Sequence, residues 1–225
     1  MKLRQRLRRI RSRSWTGWPT EAYAENRYQQ RLEAVQQHLI DCLDNAPRGP
    51  IRLISICAGD GRDVIGVLPS HERRNDLSAW LVELDCQSVA AGIRDAAVAG
   101  LQNSVRFFNR DATEYATYQG IAPADIVFAC GVWGHVPAHE RASLAEALAG
   151  LCKPRGTVTW TRGISNGTAR LGEIEALFVR PTWERLRITR TDDKKWAVAT
   201  YRCDGQSRLL PRTGRIFNFE RHAGR

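Results

Sequence analysis

Ser55-Ile56-Cys57-Ala58-Gly59-Asp60-Gly61-Arg62-Asp63 is the stretch on which the reading of this chain turns. It closes an apolar run over 51–57 that has the composition of a buried strand, and a helical pattern starts near Arg62. Two glycines between a strand and a helix let backbone approach a ligand closely. They also aim the first N–H groups of the helix at that ligand. Such a turn is weakly specific on its own, so its neighbours have to decide what it serves.

Downstream, the pattern repeats. Residues 79–84 predict a second strand, and an alanine-rich helix follows over about 87–100. Strands are predicted over 105–108, 125–130 and 157–161, with helices over 138–151 and 170–179. The runs 183–190 and 196–202 are joined only by a short Asp-Asp-Lys-Lys connection. That is too short for a crossover helix, so these two strands should pair antiparallel. The whole predicts an α/β fold: a doubly wound, mostly parallel seven-stranded sheet with a C-terminal antiparallel hairpin and helices on both faces.

Upstream, Leu32, Val35, Leu39, Ile40 and Leu43 recur with helical period, which predicts a helix over about 20–45, broken by Asn45-Ala46-Pro47-Arg48-Gly49-Pro50. Residues 1–14 carry Lys2, Arg4, Arg6, Arg8, Arg9, Arg11 and Arg13 and no acid. They supply most of the formal net charge of +10, and the remainder holds 27 basic against 24 acidic residues. The basicity is therefore a local tail on a nearly balanced body. The chain divides into a basic tail (1–14), an N-terminal helical lid segment (15–49) and an α/β domain (50–225) that carries the glycine turn.

The composition excludes some classes. No stretch approaches the ~20 continuous apolar residues of a membrane span. The N-terminus lacks the apolar core of a secretory signal. The six cysteines form no Cys-x-x-Cys pair and no cluster with zinc-ligand spacing, so no metal site is expected. They read as small buried hydrophobes in a reducing, cytoplasmic setting.

Glu83 gives the glycine turn its meaning. It ends the second strand, where a carboxylate can accept both hydroxyls of a ribose. A dinucleotide fingerprint needs a third small residue in Gly-x-Gly-x-x-Gly/Ala, and Val64 stands at that position. A bulky residue there suits an adenosine ligand without a pyrophosphate.

With these features the chain resembles the class I S-adenosylmethionine-dependent methyltransferase family over about residues 50–203. Ser55 to Gly61 occupies the register of that family's acid-x-Gly-x-Gly-x-Gly, with Ser55 in place of the acid and Cys57 in place of the first glycine. Arg110-Asp111-Ala112 is similar to the Asp-Ala pair beside the adenine. Residues 125–136 are similar to the fourth-strand motif and its loop. Residues 151–158 resemble the turn before strand five, with Arg155 in place of a glycine.

The resemblance implies S-adenosylmethionine as cofactor, held by Ala58, Gly59, Asp60, Gly61, Glu83, Leu84, Asp111, Ala112, Cys130 and Gly131. Asp60 or Asp63 stands where negative charge can replace the missing acid. His135, in the loop after strand four, is the candidate general base, and Trp133, Tyr23 and Tyr28 are candidate acceptor walls or lid. Each has a plainer alternative. Asp85 competes with Glu83 or caps the next helix, Asp111 is a local cap, and Trp133 is core. The expected reaction is methyl transfer to a small-molecule acceptor. The alternatives are an RNA or other macromolecular acceptor recruited by the basic tail, a nicotinamide enzyme, or a non-catalytic adenosine-binding protein.

Overall fold

A computed structural model describes residues 26–164, 169–179, 181–192, 194–203 and 209–219. The basic tail, Trp15, Trp18 and Tyr23 lie outside the described residues.

Seven strands form one sheet in the order β3-β2-β1-β4-β5-β7-β6. They are β1 (Ile51–Ile56), β2 (Leu77–Glu83), β3 (Val105–Asn109), β4 (Ala124–Ala129), β5 (Cys152–Gly163), β6 (Trp183–Arg190) and β7 (Trp196–Cys203). β1 pairs parallel with β2 and with β4, and β7 is antiparallel to both β5 and β6. Five parallel strands and a terminal antiparallel hairpin are what the sequence pattern predicted.

Each central strand feeds two cores, because side chains alternate across a sheet. Ile51 and Leu53 of β1, Leu77, Ala79 and Leu81 of β2, and Ile126 and Phe128 of β4 face one side. That side is covered by α1 (Asn26–Asp44), the short α2 (Arg62–Ile65) and α3 (Cys86–Val98). Ile54, Ile56, Val82, Val127 and Ala129 face the other side, under α4 (Arg141–Leu151), α5 (Ala169–Glu175) and the segment carrying Ile216 and Phe217. Such two-sided burial explains why these strands read as continuous apolar runs.

α1 is an integral layer of this body: Val35, Leu39 and Leu43 are fully buried. The helix predicted from Ala138 opens with a 3₁₀ turn (Ala138–Glu140) before α4 begins. α2 stops after one turn, because Gly66 and then Pro69 follow and two 3₁₀ turns continue the chain.

At Arg155 the backbone takes φ 65°, the left-handed conformation that a glycine would adopt more readily. It lies in an irregular start to β5, where pairing jumps from Ala124↔Cys152 to Ile126↔Thr157. The cysteines behave largely as expected: Cys42, Cys130, Cys152 and Cys203 are buried and Cys57 is half-buried. Cys86 departs from the pattern, being exposed at the start of α3. Among the described residues no helix is long and apolar enough to cross a membrane.

Candidate active site at the ends of β1, β2 and β4

Strand order reverses between β1 and β4, and the crevice beyond the C-terminal ends of the strands at such a point is where open α/β sheets bind ligands. The glycine turn stands there. Cys57 leaves β1 with φ 53°, so the first glycine of the family pattern is replaced by a residue that accepts a left-handed conformation. Burial pushes its thiol well above the usual range, and the charges of Glu83 and Asp111 add to the effect. The Ala58 N–H then donates to the Val82 carbonyl at 3.0 Å, carrying the turn across to β2.

Gly59 and Gly61 answer different needs. Both have positive φ, 59° and 73°. A Cβ at Gly59 would meet nothing within 4 Å, so the outer side of the turn is open. A Cβ at Gly61 would lie 2.4 Å from Leu81 Cδ2 and 2.8 Å from Phe107 Cζ. Gly61 therefore lets the turn settle onto β2 and β3. Gly92 of α3 yields to the same Phe107 ring, at 2.2 Å.

Glu83 is bound into this turn. Its Oε2 accepts the Gly59 N–H at 2.8 Å, and its Oε1 accepts the N–H groups of Leu84 and Asp85 at 2.8 and 2.9 Å. Asp85, its competitor on sequence grounds, caps α3 by accepting from the Ser88 N–H and hydroxyl. Leu84 is half exposed beside the crevice.

The remaining expected residues divide. The Asp60 carboxylate accepts from Arg62 Nε at 2.9 Å and forms an ion pair with its guanidinium, which commits that charge. Asp111 closes a local turn by accepting the N–H and hydroxyl of Thr113, and its second oxygen pairs with Arg215 Nη2 at 3.2 Å. Ala112 is buried, and its carbonyl accepts the Tyr118 hydroxyl at 2.6 Å. Cys130 is buried, and burial pushes its thiol well up. Gly131 turns with φ 79°, and its N–H donates to Thr161 Oγ1 at 2.8 Å. His135 sits half-buried in the loop beyond, its N–H bonded to the Val132 carbonyl.

Trp133 is corrected by the structure. Its relative exposure is 0%, and it packs edge-on against Trp160 and Phe178. A side chain with no accessible surface cannot wall an acceptor pocket. Tyr28 packs its ring 5.7 Å from that of Trp196, at the end of β7.

Two features escaped the sequence reading. Arg31 of α1 is only 6% exposed, with its guanidinium 5.3 Å over the Trp196 ring. A signal did exist: Arg31 and His38 share the helical stripe of Val35, Leu39 and Cys42. The other feature is the return of residues 209–219, whose Arg215 reaches Asp111 and whose Ile216 N–H donates to the Thr113 carbonyl at 2.7 Å. Among the described residues no group of three His, Cys, Asp or Glu side chains could hold a metal ion.

The fold is a doubly wound α/β body with an open glycine turn at the point where strand order reverses. Residues 23–163 match the model of a family described as "Putative methyltransferase". The match spans well over half of the chain, and the chain belongs to that family.

No curated protein matches the sequence. Among solved structures, the chain is similar to magnesium protoporphyrin IX methyltransferase from Synechocystis PCC 6803 with bound SAM. The TM-score is 0.59 at 16% identity, over 88% of this chain and 90% of that one. It is similar to a SAM-dependent methyltransferase from Thiobacillus denitrificans in complex with S-adenosyl-L-homocysteine, with TM-score 0.58 and 14% identity over 76% and 91%. It is also similar to an RNA methyltransferase from Salinibacter ruber in complex with the same compound, with TM-score 0.51 and 17% identity over 77% and 90%. At these identities the likeness shows the fold.

Proposed function

We propose that this chain is an S-adenosylmethionine-dependent methyltransferase acting on a small-molecule acceptor. The observation that carries the reading is the Glu83 carboxylate, held by three backbone N–H groups against a glycine turn whose outer side is open. A carboxylate has about four acceptor positions, so a ribose hydroxyl can still be accepted there. Half-exposed Leu84 offers an apolar surface to a base. Asp111 would accept an adenine amine by sharing the oxygen that Arg215 holds.

When bound, the sulfonium supplies a methyl group already activated for displacement. The chain's own task is then alignment of the acceptor and exclusion of water. His135 takes the proton of a hydroxyl or carbon acceptor, from a loop that the Gly131–Thr161 hydrogen bond anchors to β5. The nearly balanced charge of residues 15–225 favours a small acceptor over a polyanion.

Calorimetric titration tests the cofactor. S-adenosylhomocysteine should bind and NAD should not, and the reverse result overturns the reading. Deleting residues 1–14 tests the acceptor class: loss of turnover together with salt-sensitive RNA binding overturns the small-molecule assignment. For the base, His135→Ala should abolish the acid limb of the pH–rate profile, and an unchanged profile removes the assignment.

A further inference from the structure

The resemblance implies an acid at the end of β1, and this chain has Ser55 there, buried and uncharged. The crevice has a clear order. Glu83 of β2 marks one end, the Gly59–Gly61 turn of β1 the middle, and Gly131 after β4 the other end. Whatever lies at the β4 end meets no acid from β1.

Two charges without an ion-pair partner among the described residues stand at that end, Arg31 resting against the Trp196 ring. Arg31 is more than nine-tenths buried, and among the described residues its guanidinium makes no hydrogen bond; Nε in particular has no partner. Its Nη2 would lie 3.7 Å from a Cβ on Gly131. Burying a guanidinium without an acceptor is costly, so such groups are ordinarily paired.

Asp63, two residues beyond Gly61, is the complement. It forms no ion pair and accepts no side-chain hydrogen bond among the described residues, and burial pushes its carboxyl up. Arg31 opposes that shift without touching Asp63, and the Cys130 thiol feels both charges. The nearby carboxylate of Asp60 is already taken by Arg62.

A buried cation and a half-buried anion that both bear on the Cys130 thiol without meeting each other suit a group carrying both opposite charges. We propose that Arg31 and Asp63 form a clamp for an α-amino-carboxylate zwitterion, with Arg31 forking onto the carboxylate and Asp63 accepting from the ammonium. The zwitterion is the amino-acid end of S-adenosylmethionine, and Asp63 takes over the charge that Ser55 lacks. This rests on the cofactor reading above. Arg31 reaches the site because α1 lies across the sheet, so the segment before β1 contributes binding chemistry as well as cover. The planar fork suits a carboxylate better than an ammonium would.

Calorimetry on the full chain separates this inference from the reading beneath it. The probes are S-adenosylhomocysteine and 5′-methylthioadenosine, which keeps the adenosine end and lacks both amino-acid charges. Arg31→Gln and Asp63→Asn should each weaken S-adenosylhomocysteine about tenfold or more. Both should leave 5′-methylthioadenosine within about twofold of the unaltered chain. Arg31→Lys should fall between, and a thermal melt shows whether each variant is folded. The clamp is overturned if folded Arg31→Gln binds S-adenosylhomocysteine as the unaltered chain does, or if it loses both ligands equally. If the unaltered chain binds neither ligand, it is the cofactor reading that fails.

Discussion

The helix-covered face that carries Arg31 is built in two ways across its width. Under α2 and α3 it is apolar and close-packed: Leu81, Phe107 and Val105 fill the space, and Gly61 and Gly92 are small so that Phe107 can lie against them. Under α1 it is a strip of hydroxyls. Thr159 and Thr200 share a hydrogen bond of 2.8 Å. The His38 ring nitrogens sit 2.7 Å from Thr200 Oγ1 and 2.9 Å from Thr189 Oγ1. Thr157 donates to the Cys42 thiol, and Thr161, next along β5, accepts from Gly131 in the crevice.

The difference has a functional meaning. The apolar half seats the glycine turn by shape, through contacts that fall off with any added methyl group, and three N–H groups then hold Glu83 against it. The polar half fixes how α1 sits by hydrogen bonds between fixed partners, and α1 carries Arg31. Shape seats the turn beneath the Glu83 end of the crevice, and directional bonding fixes the helix that brings Arg31 to the other end.

Breaking the apolar half should have the largest effect. Gly61→Ala adds a Cβ within 2.4 Å of Leu81 Cδ2 at φ 73°. Left-handed strain and overpacking together should cost roughly 2–5 kcal/mol in urea unfolding. A loss below 1 kcal/mol would show that the turn relaxes freely.

Acid should break the polar half. Burial, aided by Arg187 and opposed by Asp41, pushes His38 down from its ordinary 6.5 to about 4. The unfolded chain takes up this proton first. The stability tied to neutral His38 is therefore complete above pH 6.5, falls away between 6.5 and about 4, and is gone below. The loss should reach about 3 kcal/mol. A His38→Leu variant should lack that part of the acid dependence, and stability curves at pH 7 and pH 4.5 compare the two.

At the other end of the crevice, Glu83→Gln removes the charge that three N–H groups surround. S-adenosylhomocysteine and 5′-methylthioadenosine should both weaken about tenfold, or about 1.4 kcal/mol. That uniform loss contrasts with the selective loss expected at Arg31, so unequal losses at Glu83 would blur the distinction between the two ends.

The smallest effect is expected at Cys57→Gly. Relief of a left-handed residue, worth about 1 kcal/mol, is offset by the extra freedom of glycine in the unfolded chain. The net change in Tm should correspond to less than about 1 kcal/mol. Together with Gly61→Ala this tests which positive-φ positions in the turn matter for packing and which for conformation alone.

Much was legible in the residues themselves. Continuous apolar runs separated by helical stretches determined a parallel sheet, and the Asp-Asp-Lys-Lys connection determined an antiparallel hairpin. Gly59, Gly61 and Glu83 marked where the crevice lies. These are short-range properties: strand alternation, helix period and turn chemistry act over a few residues and leave their mark in order.

Only the tertiary structure decided which charges are free and which are spent. Asp60 is committed to Arg62 and Asp85 to the start of α3, while Asp111 is shared between Thr113 and Arg215. Trp133 is wholly core, while Arg31 arrives from a helix before β1 to stand over Trp196 of β7. Burial and pairing depend on partners supplied by distant segments. A sequence shows that a charge exists, and the folded chain alone determines what it faces.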